Sequence, residues 1–247
     1  MDVSRPYDVD QLPIIMFERE PVAMSSTVDL TSADVFDIMH TTRAMRRLKP
    51  DPVPDDLIVK ILDAGIRAPN GGNAQTWHFV VVKDAAIKKA VQVIYKKAYD
   101  EIIGPRYSSA APPPGSDEAK YHRQHVAVEY LTDHYHEAPV WIVACVNHSE
   151  GLSEQTSLIR MAGASVYPAV QNMLLAARAL GLGASLTTRH MCFAEEADAA
   201  LQLPAGYLSY AILPIGYPMG NFGPTGRGSL KEFVSFDRVG EPWDVLK

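Results

Sequence analysis

DPVPDDLIVKILDAGIRAPNGGNAQTWHFVVVK, residues 51–83, changes its hydrophobic period partway along. Its first half puts Leu57, Ile58, Ile61, Leu62 and Gly65 on one stripe of a helix, with Asp55 after Pro54 as the N-cap and Pro69 as the stop. Its second half, WHFVVVK over 77–83, is a short β-branched run that predicts a strand buried on both faces. The turn between them is rich in amides. Asn70, Asn73 and Gln75 each carry a donor and an acceptor, which suits a planar heterocycle with alternating N–H and C=O edges, while Gly71 and Gly72 permit close approach. The same residues also suit Asx chemistry that simply joins a helix to a strand.

Working outward, TSADVFDIMHTTR from Ser32 predicts a helix with Val35, Ile38 and Met39 on one face. A helix from Asp84 is expected to bury Ile87, Ala90, Val91 and Ile94, to leave Lys88, Lys89, Lys96 and Lys97 largely outside, and to end near Gly104. GPRYSSAAPPPGSDEAK, 104–120, has too few large apolar residues for a core element and reads as a long surface excursion. A helix through about 121–136 then leads to the strand PVWIVACVN, 139–147. ASVYPAVQNMLLAARALGLG, 164–183, is a helix apolar over much of its surface, through Val166, Val170, Met173, Leu174 and Ala177. A strand at GASLTT, an acidic helix around 194–201 and the strand YLSYAILPIGYP follow. Helices and strands interleave, which predicts an α+β or α/β sandwich with elongated arms. We assign 1–30 as an N-terminal extension and 31–247 as one domain, with 104–136 an excursion or lid and 219–247 a C-terminal arm.

The 247 residues carry a net charge of −6 and a pI near 5.7, which excludes nucleic acid and anionic membrane as the main partners. Cys145 and Cys192 are too few for a disulfide framework or a cysteine metal site. The acidic, proline-containing N-terminus is unlike a secretory signal, and no apolar run approaches a membrane span, so a cytoplasmic location is expected.

TTRAMRRLKPDPVP, 41–54, holds Arg43, Arg46 and Arg47 within one helical turn, where their guanidinium groups can converge on a phosphate or form a solvated helix end. GLGASL, 181–186, resembles a dinucleotide fingerprint but closes a helix and opens a strand, so a Rossmann reading is rejected and Gly181 becomes a helix C-cap. Thr187 and Thr188 are either ordinary strand threonines or groups that address a ring edge. YPMGNFGPTGRGSLKE, 217–232, presents a single Arg227 in a glycine-rich loop without the Gly-Lys-Ser/Thr ending of a Walker loop. His122, His125, His134 and His136 lack a common face for a metal, and no metal site is assigned. No paired carboxylates and no Ser-His-Asp arrangement stand out, which suggests that a cofactor carries the chemistry.

In order, residues 41–84, ALGLGASLTT and LPIGYPMGNFGPTGRGSLKEFVSFDRVGEPW resemble the nitroreductase family of FMN-dependent oxidoreductases, over about residues 33–243. The resemblance implies an α+β sandwich with a central mixed sheet, in an intertwined homodimer with two FMN sites at the subunit interface. Arg43 and Arg46 would hold the FMN phosphate, Ala44 lying between them and Arg47 helping, with Arg227 as a further phosphate-side residue. Pro69, Asn70, Gly71, Asn73 and Gln75 would come from the partner subunit, and Leu186, Thr187 and Thr188 would lie beside the ring. NADPH or NADH would reduce the flavin, and a small aromatic acceptor, a nitroaromatic or a quinone, would reoxidise it in a ping-pong cycle. The same scaffold also resembles reductive dehalogenases of iodotyrosine type, flavin-fragmenting enzymes and flavin oxidases or dehydrogenases. A flavin-storing protein without turnover is the reading from another class. Departures from the family pattern are Thr42 for arginine, Ala44 for serine, Asn70 for serine and Thr76 for proline. Loss of the serine hydroxyl removes a phosphate contact worth about 1.5–3 kcal/mol.

Overall fold

The alternation along β2, Val140–Asn147, divides the molecule in two. Val140, Ile142, Ala144 and Val146 join one core with residues of α2 and α6, while Trp141, Val143 and Cys145 join another with residues of α3 and α5. This is the period of two expected of a strand with both faces covered. The computed structural model describes residues 34–148 and 156–246, so the expected extension at 1–30 lies outside the described residues.

The described elements run α1 (Val35–Thr41), α2 (Asp55–Gly65), β1 (Trp77–Val82), α3 (Ala85–Ala98), a π turn (Tyr99–Ile103), α4 (Gly104–Ser109), α5 (Glu118–His134), β2, α6 (Thr156–Ala179), β3 (Gly183–Ala184), α7 (Ala194–Ala200) and β4 (Tyr207–Gly216). The sheet order is β1-β2-β4-β3. Each paired strand is antiparallel to its neighbour. Among the described residues the expected mixed sheet is therefore an antiparallel ladder, and parallel pairing is confined to a single bridge from Ala44 to Ala184. Together the layers form an α+β sandwich.

Several expectations shift. In α1 the cap is Asp34, whose carboxylate accepts from Phe36 N at 2.7 Å, and only Ile38 of the expected inner face is buried. Pro54 rather than Asp55 occupies the N-cap of α2, with no side-chain cap bond. β1 is an edge strand, so its faces are only partly covered, and Val81 is 40% exposed. On α3, Ala90 is exposed and Lys88 is buried. Gly104 does not end that helix: the π turn carries it directly into α4. The excursion is thus helical at its start, and α5 begins at Glu118, three residues earlier than expected.

The end of α6 is as predicted. Gly181 takes φ +75°, its N–H donates to Arg178 O at 3.1 Å, and Leu182 N donates to Ala177 O at 2.8 Å. This pair of bonds satisfies the last carbonyls of the helix and turns the chain into β3. Among the described residues no helix is long and apolar enough to cross a membrane.

Candidate cofactor site

Past Thr41 the chain is extended, and this changes how the arginines are presented. Ala44 bridges Ala184, Met45 N donates to Ala184 O at 2.9 Å, and Leu48 bridges Pro218. Lys49 N donates to Tyr217 O at 2.8 Å and Met219 N to Arg47 O at 3.0 Å. The arginine segment is therefore laid between the β3 end and the start of the C-terminal arm. Because it is not helical, Arg43, Arg46 and Arg47 do not share one helical turn, although the Arg43 charge still acts on Arg46. Arg43 is exposed and lies beside Gly223, Arg47 stacks over the Tyr130 ring at 5.1 Å, and Arg46 is half-buried among Tyr107, Tyr95 and Arg189. Burial first, and then the charges of Arg189 and Arg43, lower the Arg46 pKa, with Tyr107 and Tyr95 opposing. A guanidinium remains charged under such a shift. Among the described residues neither Arg43 nor Arg46 has an ion-pair partner.

Thr187 is fully engaged by the protein. Its N–H and carbonyl pair with Ile212, and its hydroxyl donates to Ile212 O at 2.6 Å. The Tyr135 hydroxyl, held far above its ordinary pKa by burial, donates to Thr187 Oγ1 at 2.6 Å. The proton of the Thr187 hydroxyl is therefore committed to Ile212 O, which leaves its oxygen as an acceptor. Thr188 is half-buried and Leu186 is 40% exposed, so these two remain accessible at the strand end.

Arg227 is exposed and donates to its neighbour Gly226 O at 2.7 Å. Its loop is held from two sides. Thr225 N donates to His40 O at 2.9 Å, and a Cβ on Gly115 would collide with the Arg227 backbone. The excursion and the C-terminal arm thus touch at Gly115 and Arg227.

The amide-rich turn lies elsewhere. Asn70 Oδ1 accepts from Gln75 N at 2.9 Å, Gln75 Nε2 donates to Asn73 O at 3.3 Å, and Gly71 N donates to Ser165 Oγ on α6 at 3.2 Å. Part of its amide content therefore closes the turn itself. Asn73 and Gln75 take φ of 55° and 51°, a conformation that costs a non-glycine residue about 1–2 kcal/mol. Pro69, Gly71 and Asn73 are exposed. The arginine segment meets the other end of α6, where Arg178 Nε donates to Thr41 Oγ1 at 3.1 Å. At 1.5 Å per residue, Ser165 and Arg178 are about 20 Å apart along that helix. One chain brings the arginine segment, the β3 end and the Arg227 loop together, and holds the Asn70–Gln75 turn apart from them.

Two further cations were not read as site residues. Arg178 lies over the Phe222 ring at 4.2 Å, beside Gly223 and therefore near Arg43. Arg189 lies over Tyr95 at 4.8 Å and Tyr99 at 5.0 Å and donates to Thr132 Oγ1 at 2.7 Å. A lone arginine in an apolar helix gave no signal for the first. The second directly follows Thr187 and Thr188, and a cation at a strand end was a signal that could have been used. The histidine run is divided among separate environments: His125 packs on Tyr107 and Tyr121, and His134 pairs with Glu137 at 2.9 Å.

A junction of extended backbone, accessible strand end and uncompensated guanidinium groups fits an anionic ligand with a flat ring. The sequence profile of the Nitroreductase family matches residues 40–217. A Methanothermobacter thermautotrophicus protein provisionally named NADH dehydrogenase/NAD(P)H nitroreductase is 26% identical over 199 residues, covering 78% of this chain and 82% of its own. The iodotyrosine deiodinase of Daphnia pulex is 27% identical over 217 residues, covering 85% of this chain and 67% of its own. Among solved structures, a nitroreductase with bound FMN from Desulfitobacterium hafniense superposes with a TM-score of 0.60 at 20% identity, covering 83% of this chain and 98% of that one, and so shares its fold.

Proposed function

This chain belongs to the nitroreductase family, and on that premise we propose that it is an FMN-dependent oxidoreductase, reduced by NADPH or NADH and reoxidised by an electron-poor aromatic such as a nitroarene or quinone. The observation that carries the reading is the pinned arginine segment, whose Arg43 and Arg46 have no ion-pair partner among the described residues and stand on a segment bridged to the accessible end of β3. FMN, when bound, would supply the hydride-transfer chemistry between the nicotinamide and the acceptor.

The protein's own part is positioning and charge. Arg43 and Arg227 stand on the phosphate side, where the first faces the Gly223 loop and the second is exposed on the same arm. Ala44 offers no hydroxyl there, so these guanidinium groups carry the anion without it. Arg46, half-buried on the same segment, would help to hold the flavin, and Leu186 and Thr188, accessible at the strand end, would lie beside its ring. Fixed donors and cations of this kind favour charge that builds up on the ring without having to reorganise.

A second copy of the chain completes the site. The Asn70–Gln75 turn and the arginine segment occupy opposite ends of α6, so a symmetric partner brings the turn of one copy to the arginines of the other. The apolar groups left open on α1 and the C-terminal arm, Phe36 at 67% and Phe233 at 64% exposure, supply contact surface for such a pair.

The test is direct. Purified protein is expected to be yellow with FMN, to sediment as a dimer, and to consume NADPH or NADH with a nitroarene. Protein that stays colourless after FMN reconstitution overturns the proposal, and flavin that neither nicotinamide reduces assigns it to storage. Arg43→Ala is expected to release FMN, while Lys60→Ala, on the surface of α2, retains it.

A further inference from the structure

Lys120, in the first turn of α5, reaches across from the excursion to the C-terminal arm. Its ammonium donates to Gly115 O at 2.9 Å and lies against Gly226, where a Cβ would collide with that ammonium and with Gly115 O. The carbonyl of the same Gly226 accepts from the Arg227 guanidinium at 2.7 Å. One bare residue of the arm is thus touched by two cations, one from each segment. Backbone contacts fix the meeting: Gly115, at φ +76°, packs on the Arg227 backbone, and Thr225 N donates to His40 O at 2.9 Å.

Two acids close to these cations in sequence are committed to backbone N–H groups. The Asp117 carboxylate accepts from Lys120 N at 2.7 Å as the cap of α5, and Glu232 accepts from Ser229 N at 3.0 Å in the capping box of the arm. None of the ion pairs among the described residues involves Lys120 or Arg227. An ammonium has three protons to donate, and Gly115 O takes one of them. Lys120 is half-buried and Arg227 exposed, so an anion that joins the two cations can enter from the solvent side of the arm. A lysine suits a phosphate there as a point charge on a flexible stem, with no planar match required.

We propose that Lys120 binds the phosphate of FMN together with Arg227, so that the excursion closes on the cofactor through its own lysine. The inference rests on the FMN-dependent reading above and adds to that site a residue from a segment not yet part of it. Ala44 brings no hydroxyl to the phosphate side, and Lys120 supplies a charged donor in its stead.

The experiment measures the dissociation constants of FMN and of riboflavin, which lacks the phosphate, on the full chain freed of flavin. The wild type is compared with Lys120→Gln, Lys120→Arg and the surface control Lys60→Gln. Lys120→Gln is expected to weaken FMN about tenfold, the loss of one charge-assisted contact, while changing riboflavin by about twofold at most. Lys120→Arg, which keeps the charge, should recover most of the FMN affinity, and Lys60→Gln should match the wild type. Proteolysis reads the same contact independently: saturating FMN should slow cleavage within 110–117 in the wild type and in Lys120→Arg, and much less in Lys120→Gln.

Equal weakening of both flavins by Lys120→Gln assigns the lysine to holding the Gly115 turn alone, and overturns the inference while leaving the FMN-dependent function intact. Unchanged FMN affinity also overturns it, and a KM raised for NADPH but not for NADH would then move the lysine to the nicotinamide's extra phosphate. Wild-type protein that binds neither flavin removes the functional reading itself.

Discussion

Lys88 lies on the inner face of α3, 6% exposed, and its ammonium donates to Ala138 O at 2.7 Å with Pro139 O at 3.5 Å. The spacing of α3 grouped it with the exposed lysines because an apolar stripe shows where the core lies but not which neighbouring backbone needs a donor. The carbonyls it meets end the turn after α5, fifty residues away, and no local pattern announces them. Burial lowers its pKa, with Asp84 opposing. Lys88→Met is expected to leave Ala138 O buried without its donor and to lower stability by about 1–3 kcal/mol, while Lys89→Met on the outer face changes little. Urea unfolding of both variants decides between a structural role and a merely tolerated burial. Thr187 teaches a similar lesson: LTTRH marks a polar strand end, but not that Tyr135 and Ile212 engage its hydroxyl from distant segments. Residue types marked where a site would be, and only the tertiary partners decided which groups were left to serve it.

The elements that sequence placed best were those whose burial is one-sided and continuous. α2 was read from its stripe, α6 was read only from Ala164 although it starts at Thr156, and the C-cap at Gly181 was read from its position alone. β1 was read as a doubly covered strand because β-branched composition is the same at an edge as in the middle of a sheet; only the strand order places it at the edge. The π turn at Tyr99–Ile103 depends on a one-residue slip in hydrogen bonding, so α4 was mistaken for loop. Where the excursion meets the C-terminal arm, Gly115 takes φ +76° and leaves room for the Arg227 backbone. Gly115→Ala adds a methyl group on that backbone and a left-handed penalty of about 1–2 kcal/mol. The variant is expected to cut faster with protease within 110–117 and to lose FMN faster, because the Arg227 loop is displaced. Gly220→Ala, with no atom near its would-be Cβ, serves as the matched control and should behave as wild type.

For the molecule as a whole, pH acts through His190, fully buried with the Ser209 backbone as its polar neighbour. Burial lowers its pKa to about 4. The unfolded chain therefore binds a proton below about pH 6.5 that the folded protein refuses until about pH 4, so stability falls as pH drops through that window. The full loss from this residue is about 3 kcal/mol, on the scale of 1.4 kcal/mol per pKa unit. His136 and His148, also lowered by burial, add slope of the same sign, and the raised Asp198 carboxyl opposes it at lower pH. His190→Leu should flatten the dependence of the urea midpoint between pH 6.5 and pH 4, and an unchanged slope would refute this assignment. The sandwich and its family were thus legible from sequence, whereas the partition of the arginines was not, since it follows from extended backbone between β3 and the arm. Helix α6 ties these scales together. With the Asn70 turn at one end and Thr41 at the other, it acts as a ruler: inserting a single residue would rotate one end by roughly 100° and slide it 1.5 Å. The loop from 110 to 117 is held differently, at Pro114 and Gly115, where it meets the C-terminal arm. Insertions ahead of Pro114 are therefore expected to be tolerated, while an insertion within the span of α6 is expected to separate the two ends it relates.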